Sequence, residues 1–291
     1  MSAVDDRLHR TSPVRSLRLG DVTVTYVPDG EVRLKPYGWL PQSTELDWRD
    51  DAAYLAEDGN LVASVGGLLV EHHGRALLID AGLGPVSRPD DPGNPMIGLV
   101  RGGDLLDNLA ELGRRPADVE AVAITHLHFD HVGWVVHPGP GGGAAFPEAA
   151  YLVSAPEWEH RHLSAIEGAR VGEFDAMASR VRTFGDGEEV FPGVRTMFTP
   201  GHTIGNTSYV IASGGLRLVV FGDVMHSPVQ IRHPDWPVGA DLDPVQAATS
   251  RRRVLAELLR PDTLGYGGHF ADVVFGRLTE TLAGLSWQPA L

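Results

Sequence analysis

With 291 residues the chain is long enough to bury a large core. Its 38 acidic against 24 basic side chains, a formal charge of −14, leave it without the basic surplus that a nucleic-acid backbone demands of a partner. It contains no cysteine, which removes disulfides and thiolate metal ligands from consideration. The polar first eighteen residues lack the apolar stretch of a secretory signal, and no run reaches the ~18 apolar residues of a membrane span. The expectation is a cytoplasmic protein with no membrane partner, its residues 1–15 mobile.

Val22-Thr23-Val24-Thr25-Tyr26-Val27 alternates in the manner of a strand and runs into Pro28-Asp29-Gly30, a turn tripeptide. Residues 31–62 then carry Pro36, Tyr37, Trp39, Leu40, Pro41 and Trp48 without clear periodicity. Such a segment serves either as a flap over an active site or as an arm packed on a sheet or on a homodimer partner. The flap is preferred, because binding residues are often carried on loops beside a rigid scaffold. Val65 to Val70 and Ala76 to Ile79 form a hairpin with His72 and His73 exposed at its turn, and Asp80-Ala81-Gly82 follows. Asp104 to Leu112 has a helical apolar stripe stopped by Gly113.

The apolar run Val119 to Ile124 reads as a buried strand and delivers Thr125-His126-Leu127-His128-Phe129-Asp130-His131. Strand alternation places His126, His128 and Asp130 on one side, and His131 requires a turn after Asp130 to reach the same cavity. One cation cannot comfortably accept all four. The density suits two adjacent metals, His126 and His128 serving one and Asp130 and His131 the other, since zinc, iron and manganese favour imidazole and carboxylate.

Beyond a Pro/Gly loop at 138–143, Ala150 to Ser154 reads as a strand and Pro156 opens a helix capped by Ser154 or Ala155, with His160 and His162 taken as surface residues. Glu173 to Val181 reads as a helix, and Val194 to Thr199 as the strand leading to Pro200-Gly201-His202. Gly215 to Asp223 echoes Gly74 to Asp80: a glycine turn, an apolar strand, then a carboxylate. Asp243-Pro244 begins a helix to about Leu259, whose Arg251-Arg252-Arg253 is a solvated face or a source of buried ion pairs. Thr263 to His269 returns to the site. No linker separates the motifs, so residues 1–291 are read as a single domain.

The string His126-x-His128-x-Asp130-His131 resembles the signature of the metallo-β-lactamase-fold hydrolases, with Asp80, His202, Asp223 and His269 following the family's order. The resemblance implies an α/β fold, an αββα sandwich with a binuclear metal site at the sheet edge. It implies His126, His128 and His202 on one metal, Asp130, His131 and His269 on the other, Asp223 bridging, and Asp80 orienting the ligand loop from behind. The cofactors would be two divalent ions, zinc first, with iron, manganese or cobalt as alternatives. A metal-bridging hydroxide would be the nucleophile.

Within the family, Phe221 to Pro228 and the aromatic N-terminal segment are similar to the quorum-quenching lactonase and methyl parathion hydrolase-like branch. A carboxylic ester or lactone is therefore the expected substrate, with aryl esters and phosphotriesters as side substrates. Asp130, Asp223 and His226 are the catalytic candidates, His226 standing where the lactonases carry Tyr. Tyr37, Trp39, Phe129, Trp134 and Trp236 are expected to wall the substrate pocket, and Phe146 to be core. A thioesterase is the alternative function, and a non-catalytic metal-binding protein a third.

Overall fold

The computed structural model describes residues 4–164, 174–175, 177–282 and 284–291. Among them one sheet is built from β1 (Arg15–Leu19), β2 (Val22–Leu34), β3 (Leu61–His72), β4 (Arg75–Ile79), β5 (Val86–Arg88), β6 (Ile97–Gly102), β7 (Ala121–Ala123), β8 (Ala150–Ser154) and β9 (Val181–Phe184). Its order is β5-β6-β2-β3-β4-β7-β8-β9, with β1 paired to β2. The second sheet runs in chain order through β10 (Glu189–Phe191), β11 (Val194–Phe198), β12 (Thr207–Ser213), β13 (Leu216–Val220), β14 (Thr263–Tyr266), β15 (Phe275–Thr281) and β16 (Gly284–Pro289).

Period-two alternation sorts the apolar side chains into layers. In β4, Leu77 and Ile79 meet Tyr209, Ile211, Leu218 and Val220 of the other sheet, while Ala76 and Leu78 face outward onto Leu105, Leu109 and Val132 from two helices. In β13 the roles invert: Leu218 and Val220 point between the sheets, and Val219 packs on Val254, Leu255 and Leu258 of the Pro244–Leu258 helix. Helix, sheet, sheet, helix is the expected αββα order. The echo between the halves is also present in the pairing. An antiparallel hairpin precedes a parallel strand in both: β3–β4 then β7, and β12–β13 then β14. Because β11 and β13 both run antiparallel to β12, and β14 is parallel to β13, the C-terminal ends of β11, β13 and β14 share one edge.

Three expectations change. Pro28-Asp29-Gly30 is not a turn: β2 continues through it to Leu34, with a bulge between Pro28 and Gly30. A bulge is where a strand tolerates proline, and it turns the Asp29 side chain inward. The segment before β1 is docked from Arg7 onward, with Leu8 buried and Arg7, Arg10 and Arg15 all paired with the buried Asp272. The helix read at Glu173 to Val181 begins outside the described residues and closes earlier, in a tight turn at Ala178–Arg180, because Val181 already pairs with Tyr151 as the start of β9.

Residues 31–62 are only partly loop. They finish β2, form short helices at Pro36–Trp39 and Glu45–Asp50, and enter β3 at Leu61. Thr44 and Asp47 close a reciprocal cap at the start of the second helix, which fixes its entry. Leu40, Trp39 and Trp48 join Val32, Leu34 and Trp236 in a core cluster of their own. The segment is a packed cover.

Candidate metal centre

The residues after β7 are held extended by Ile124 N donating to Leu152 O, Tyr209 Oη donating to Ile124 O, and Thr207 N donating to Thr125 O. The turn comes earlier than expected. His128 is the N-cap of a helix at Phe129–Val136, so Asp130 and His131 lie in its first turn rather than on a continuing strand. Asp80, which follows β4, accepts from Thr125 N at 2.8 Å, from Thr125 Oγ1 at 2.9 Å and from His131 Nδ1 at 2.8 Å. It does so with a φ of 60°, a conformation Asp tolerates better than most residues. The orienting role expected for Asp80 matches this geometry.

His202 follows β11, Asp223 follows β13 and His269 follows β14, so the shared sheet edge brings three separate strand ends to the His126–His131 loop. Gly201 is required there. Its φ is 130°, and a Cβ on it would stand 2.1 Å from the Ala247 backbone nitrogen.

The side chains fall into two groups, His126, His128, His202 and Asp223, and Asp130, His131, His269 and Asp223, with one candidate donor atom from each member within 4.8 Å of the others. Asp223 divides them. Its Oδ2 faces His126 Nε2 at 3.7 Å and His202 Nε2 at 3.4 Å, while its Oδ1 faces His131 Nε2 at 3.2 Å and His269 Nε2 at 3.1 Å. Asp130 Oδ2 is 3.7 Å from His131 Nε2 and 3.5 Å from His269 Nε2.

The outward ring nitrogens fix which atoms are free to bind. His131 Nδ1 donates to Asp80, His202 Nδ1 to Asp241 Oδ1 at 3.0 Å, and His269 Nδ1 to Ser64 O at 2.9 Å. Each acceptor can only accept, so in the neutral ring, the form that binds a metal, it is Nε2 that presents the lone pair to the cluster. His126 Nε2, His131 Nε2 and Asp223 Oδ1 are buried without a hydrogen-bond partner. Buried polar atoms are rarely left so, and here all three point at the same volume. The donor set fits two divalent cations.

Charge in the cluster follows from the same geometry. Burial, reinforced by neighbouring imidazoles, holds His126 and His128 well below the usual histidine range. For His131 burial also opposes the charged form, but Asp223, Asp130 and Asp80 outweigh it and raise the ring well above that range. His202 is pushed up to about 10 in the same way, against its burial, by Asp223 and Asp241. Asp223 is held well below the usual carboxylate range by the imidazoles despite its burial. His226 goes the other way: burial lowers it to about 4 against the pull of Asp223.

A cavity of about 220 Å³ opens onto both groups. Trp39 and Phe129 line it as expected, together with the aliphatic Val32, Leu34, Met96 and Ile97, which the reading of aromatics missed. The other three pocket candidates lie elsewhere. Tyr37 is 55% exposed because it sits on the solvent side of its short helix. Trp134 is buried with its Nε1 donating to Asp29 Oδ1, and Trp236 stacks on His233 and leans on Trp48 behind the pocket wall. His226 lies in this cavity, its Nε2 3.0 Å from Asp223 Oδ2, its ring stacked on His269 and met by the edge of Trp39.

A second cavity, about 230 Å³, touches His128 and His202 from the other side; His160 lines it, half-buried rather than on the surface, while His162 is exposed as expected. Phe146 is core. Two carboxylates that no motif announced complete the surroundings. Glu157 accepts from Leu127 N, Thr203 Oγ1 and Gly205 N, tying the two histidine loops together, and Asp241 holds His202. Glu157 had only the signature of a helix start, and Asp241 had none.

Two facing sheets, helices on both outer sides and paired His/Asp groups at one edge define the metallo-β-lactamase class of fold. The profile of the Metallo-beta-lactamase superfamily matches residues 67–269, and the chain belongs to that superfamily. The Metallo-beta-lactamase domain-containing protein 1 of Xenopus laevis is 30% identical over 74% of this chain and 80% of its own length. An N-acyl homoserine lactonase of Bacillus cereus is 25% identical over 55% of this chain, which spans 60% of that enzyme. Among solved structures, the dizinc quorum-quenching lactonase AidC in complex with a product superposes with a TM-score of 0.80 at 22% identity, covering 97% of this chain and 99% of that one. The hydrolase AbOPH gives 0.77 at 23% identity with the same coverage. At these identities the structural likeness is one of fold. Among the described residues no helix is long and apolar enough to cross a membrane.

Proposed function

We propose that the chain is a hydrolase that uses two divalent metal ions, zinc in the first instance, to cleave a carboxylic ester or lactone. The observation that carries this reading is a single apolar cavity that opens onto both ligand groups at once, with Asp130, Asp223, His226 and His269 on its polar side. Ligand sites combine an apolar wall with a few placed polar groups, and this one suits an apolar acyl substituent whose carbonyl lies over Asp223. The lactonase among the relatives in sequence supports a lactone within that class.

His126, His128 and His202 would hold one ion, Asp130, His131 and His269 the other, and Asp223 both. When bound, the ions supply hydroxide near neutral pH and Lewis acidity toward a carbonyl oxygen. The chain's own residues do the rest. Trp39 and Phe129 exclude water from the acyl side, and Asp80 and Asp241 keep His131 and His202 in the tautomer that offers Nε2 inward. His226, buried beside Asp223 with its Nδ1 unpartnered, is placed to touch the substrate beside the departing oxygen.

The test is a screen of lactones, oxygen esters, thioesters and phosphotriesters on protein whose metal content has been measured. Turnover of an unactivated lactone or ester that disappears with chelation and returns with zinc is the expected result. Turnover confined to thioesters would make the protein a thioesterase, and two bound ions with no turnover at all would leave it a metal-binding protein.

A further inference from the structure

Among the described residues Arg251 is the largest completely buried side chain, the one member of the Arg251-Arg252-Arg253 run that turns inward. Its Nε donates to Val224 O at 2.9 Å, and its Nη1 donates to Pro234 O at 2.8 Å and Trp236 O at 2.7 Å. Its Nη2 stands 3.8 Å from Asp241 Oδ2. One guanidinium on the Pro244–Leu258 helix therefore hydrogen-bonds residues 224, 234 and 236, and its Nη2, which has no hydrogen-bond partner, faces the Asp241 carboxylate as a longer ion pair.

Both ends of that stretch matter to the same ligand group. Val224 directly follows Asp223. Asp241 holds the Nδ1 of His202, and its other oxygen accepts from Val238 N at 3.0 Å. The backbone repeats the connection, with Leu242 N donating to His202 O and Asp243 N to Gly201 O. No comparable grip reaches Asp130 or His131, which are fixed instead through Asp80 and the Phe129–Val136 helix.

Arginine suits such a position and lysine does not. Its planar fork presents several fixed donors, and it stays charged when buried. A buried guanidinium that only filled space would be costly, because desolvation outweighs what a long ion pair returns. Its three carbonyl contacts repay part of that cost by fixing the loop.

We propose that Arg251 is a positioning residue for the His126, His128 and His202 site: acting through Asp241, it holds His202 in register and sets the metal affinity of that site more than that of its neighbour, with which it shares Asp223. This rests on the two-metal reading above.

Competition between the purified full chain and a chromophoric chelator for Zn²⁺ yields two dissociation constants, and the melting temperature of the chelated protein separates stability from binding. Asp241→Asn and Arg251→Gln should each weaken one of the two sites by about 10- to 100-fold, the scale typical of groups that orient a metal-bound histidine, and weaken the other far less. The double variant should be no weaker than the poorer single one, since the two act in series. Arg251→Lys should not restore affinity. Should Arg251→Gln fail to fold, Asp241→Asn together with Arg251→Lys decides the matter. Equal weakening of both sites, or fully additive losses, would reduce Arg251 to a general stabiliser and overturn the proposal. Zn²⁺ binding unchanged in both variants would overturn it while leaving the two-metal reading intact. A wild-type chain that binds no Zn²⁺ would remove that reading itself.

Discussion

Asp223 and Asp29 are both buried carboxylates ringed by nitrogen atoms. Around Asp29 they are the backbone N–H groups of Leu83, Gly84, Gly103 and Leu105 and the indole of Trp134, all donating at 2.6 to 3.2 Å. Around Asp223 they are the imidazoles of His126, His131, His202, His226 and His269. The first set consists of donors that cannot be anything else, and they satisfy the carboxylate completely. Three of the second set have committed their N–H groups to other acceptors and turn lone pairs toward an oxygen that also has only lone pairs. Acceptors gathered around an acceptor are stable only with protons or cations between them. Both acids are buried among nitrogens; the donor balance separates a brace from a binding site.

Exchanging each acid for alanine would break that comparison most directly. Asp223→Ala should abolish retention of both metals and all turnover, while the melting temperature of the chelated protein changes little. Asp29→Ala should do the reverse, losing at least ~3 kcal/mol of stability by stranding several buried N–H groups, with metal stoichiometry unchanged in the folded fraction. Denaturation curves and elemental analysis of both variants read the two effects, and similar behaviour of the two would erase the distinction.

Asp130→Ala sharpens it by dividing the site. Asp130 belongs to one group only, so elemental analysis should fall from about two ions per chain toward one. A wild-type stoichiometry that stays at one under metal-replete conditions would count against the binuclear arrangement.

His226→Phe has a smaller and more selective effect. Metal content should persist and turnover of unactivated esters should drop by ~10²-fold or more, with nitrophenyl esters suffering least because their leaving oxygen needs the least stabilisation. Loss of one metal would instead make His226 a ligand, which its 3.0 Å approach to Asp223 makes a real alternative to test.

The smallest effect concerns a third acid, Asp272. Arg15, Arg10 and Arg7 hold its carboxyl below the ordinary value of 3.8 against its burial. A depressed carboxylate stabilises the fold above its unfolded value and ceases to do so as pH falls through its folded one. Amide protection in residues 5–19, referred to the intrinsic exchange rate at each pH, should therefore fall as the pH is lowered below about 3.8, and Asp272→Asn should show that lower protection already at neutral pH. Exchange in the variant that matched wild type would show that the arginines do not anchor the segment.

The metal-binding motifs were legible because their chemistry is local: His126 to His131 and the glycine-flanked His202 and His269 each announce a short-range need. The layer order was legible for a similar reason, since alternation in Leu77-Leu78-Ile79 and Leu218-Val219-Val220 already names both faces. What escaped was set by partners distant in sequence. Pro28-Asp29-Gly30 has turn composition, and only the five donors from residues 83–134 make it a bulge. Asp241 carries no local pattern because its partners lie in other loops, and the Arg251-Arg252-Arg253 run, read as a solvated face or a source of buried ion pairs, did not say that Arg251 alone would turn inward. Trp134 and Trp236 flank the ligand motifs in sequence, but helix geometry and the stack on His233 turn them away from the cavity.

The clasp between Arg15 and Asp272 closes a sequence separation of 257 residues. At a synthesis rate of roughly 5–20 residues per second, the arginines emerge tens of seconds before the acid that neutralises them. Over that interval β1 and the residues before it have no C-terminal strand to lean on, while the β2–β3 hairpin can already close. The clasp is thus a late contact in the life of each molecule, and a chain released before residue 272 would carry an unanchored, positively charged leader.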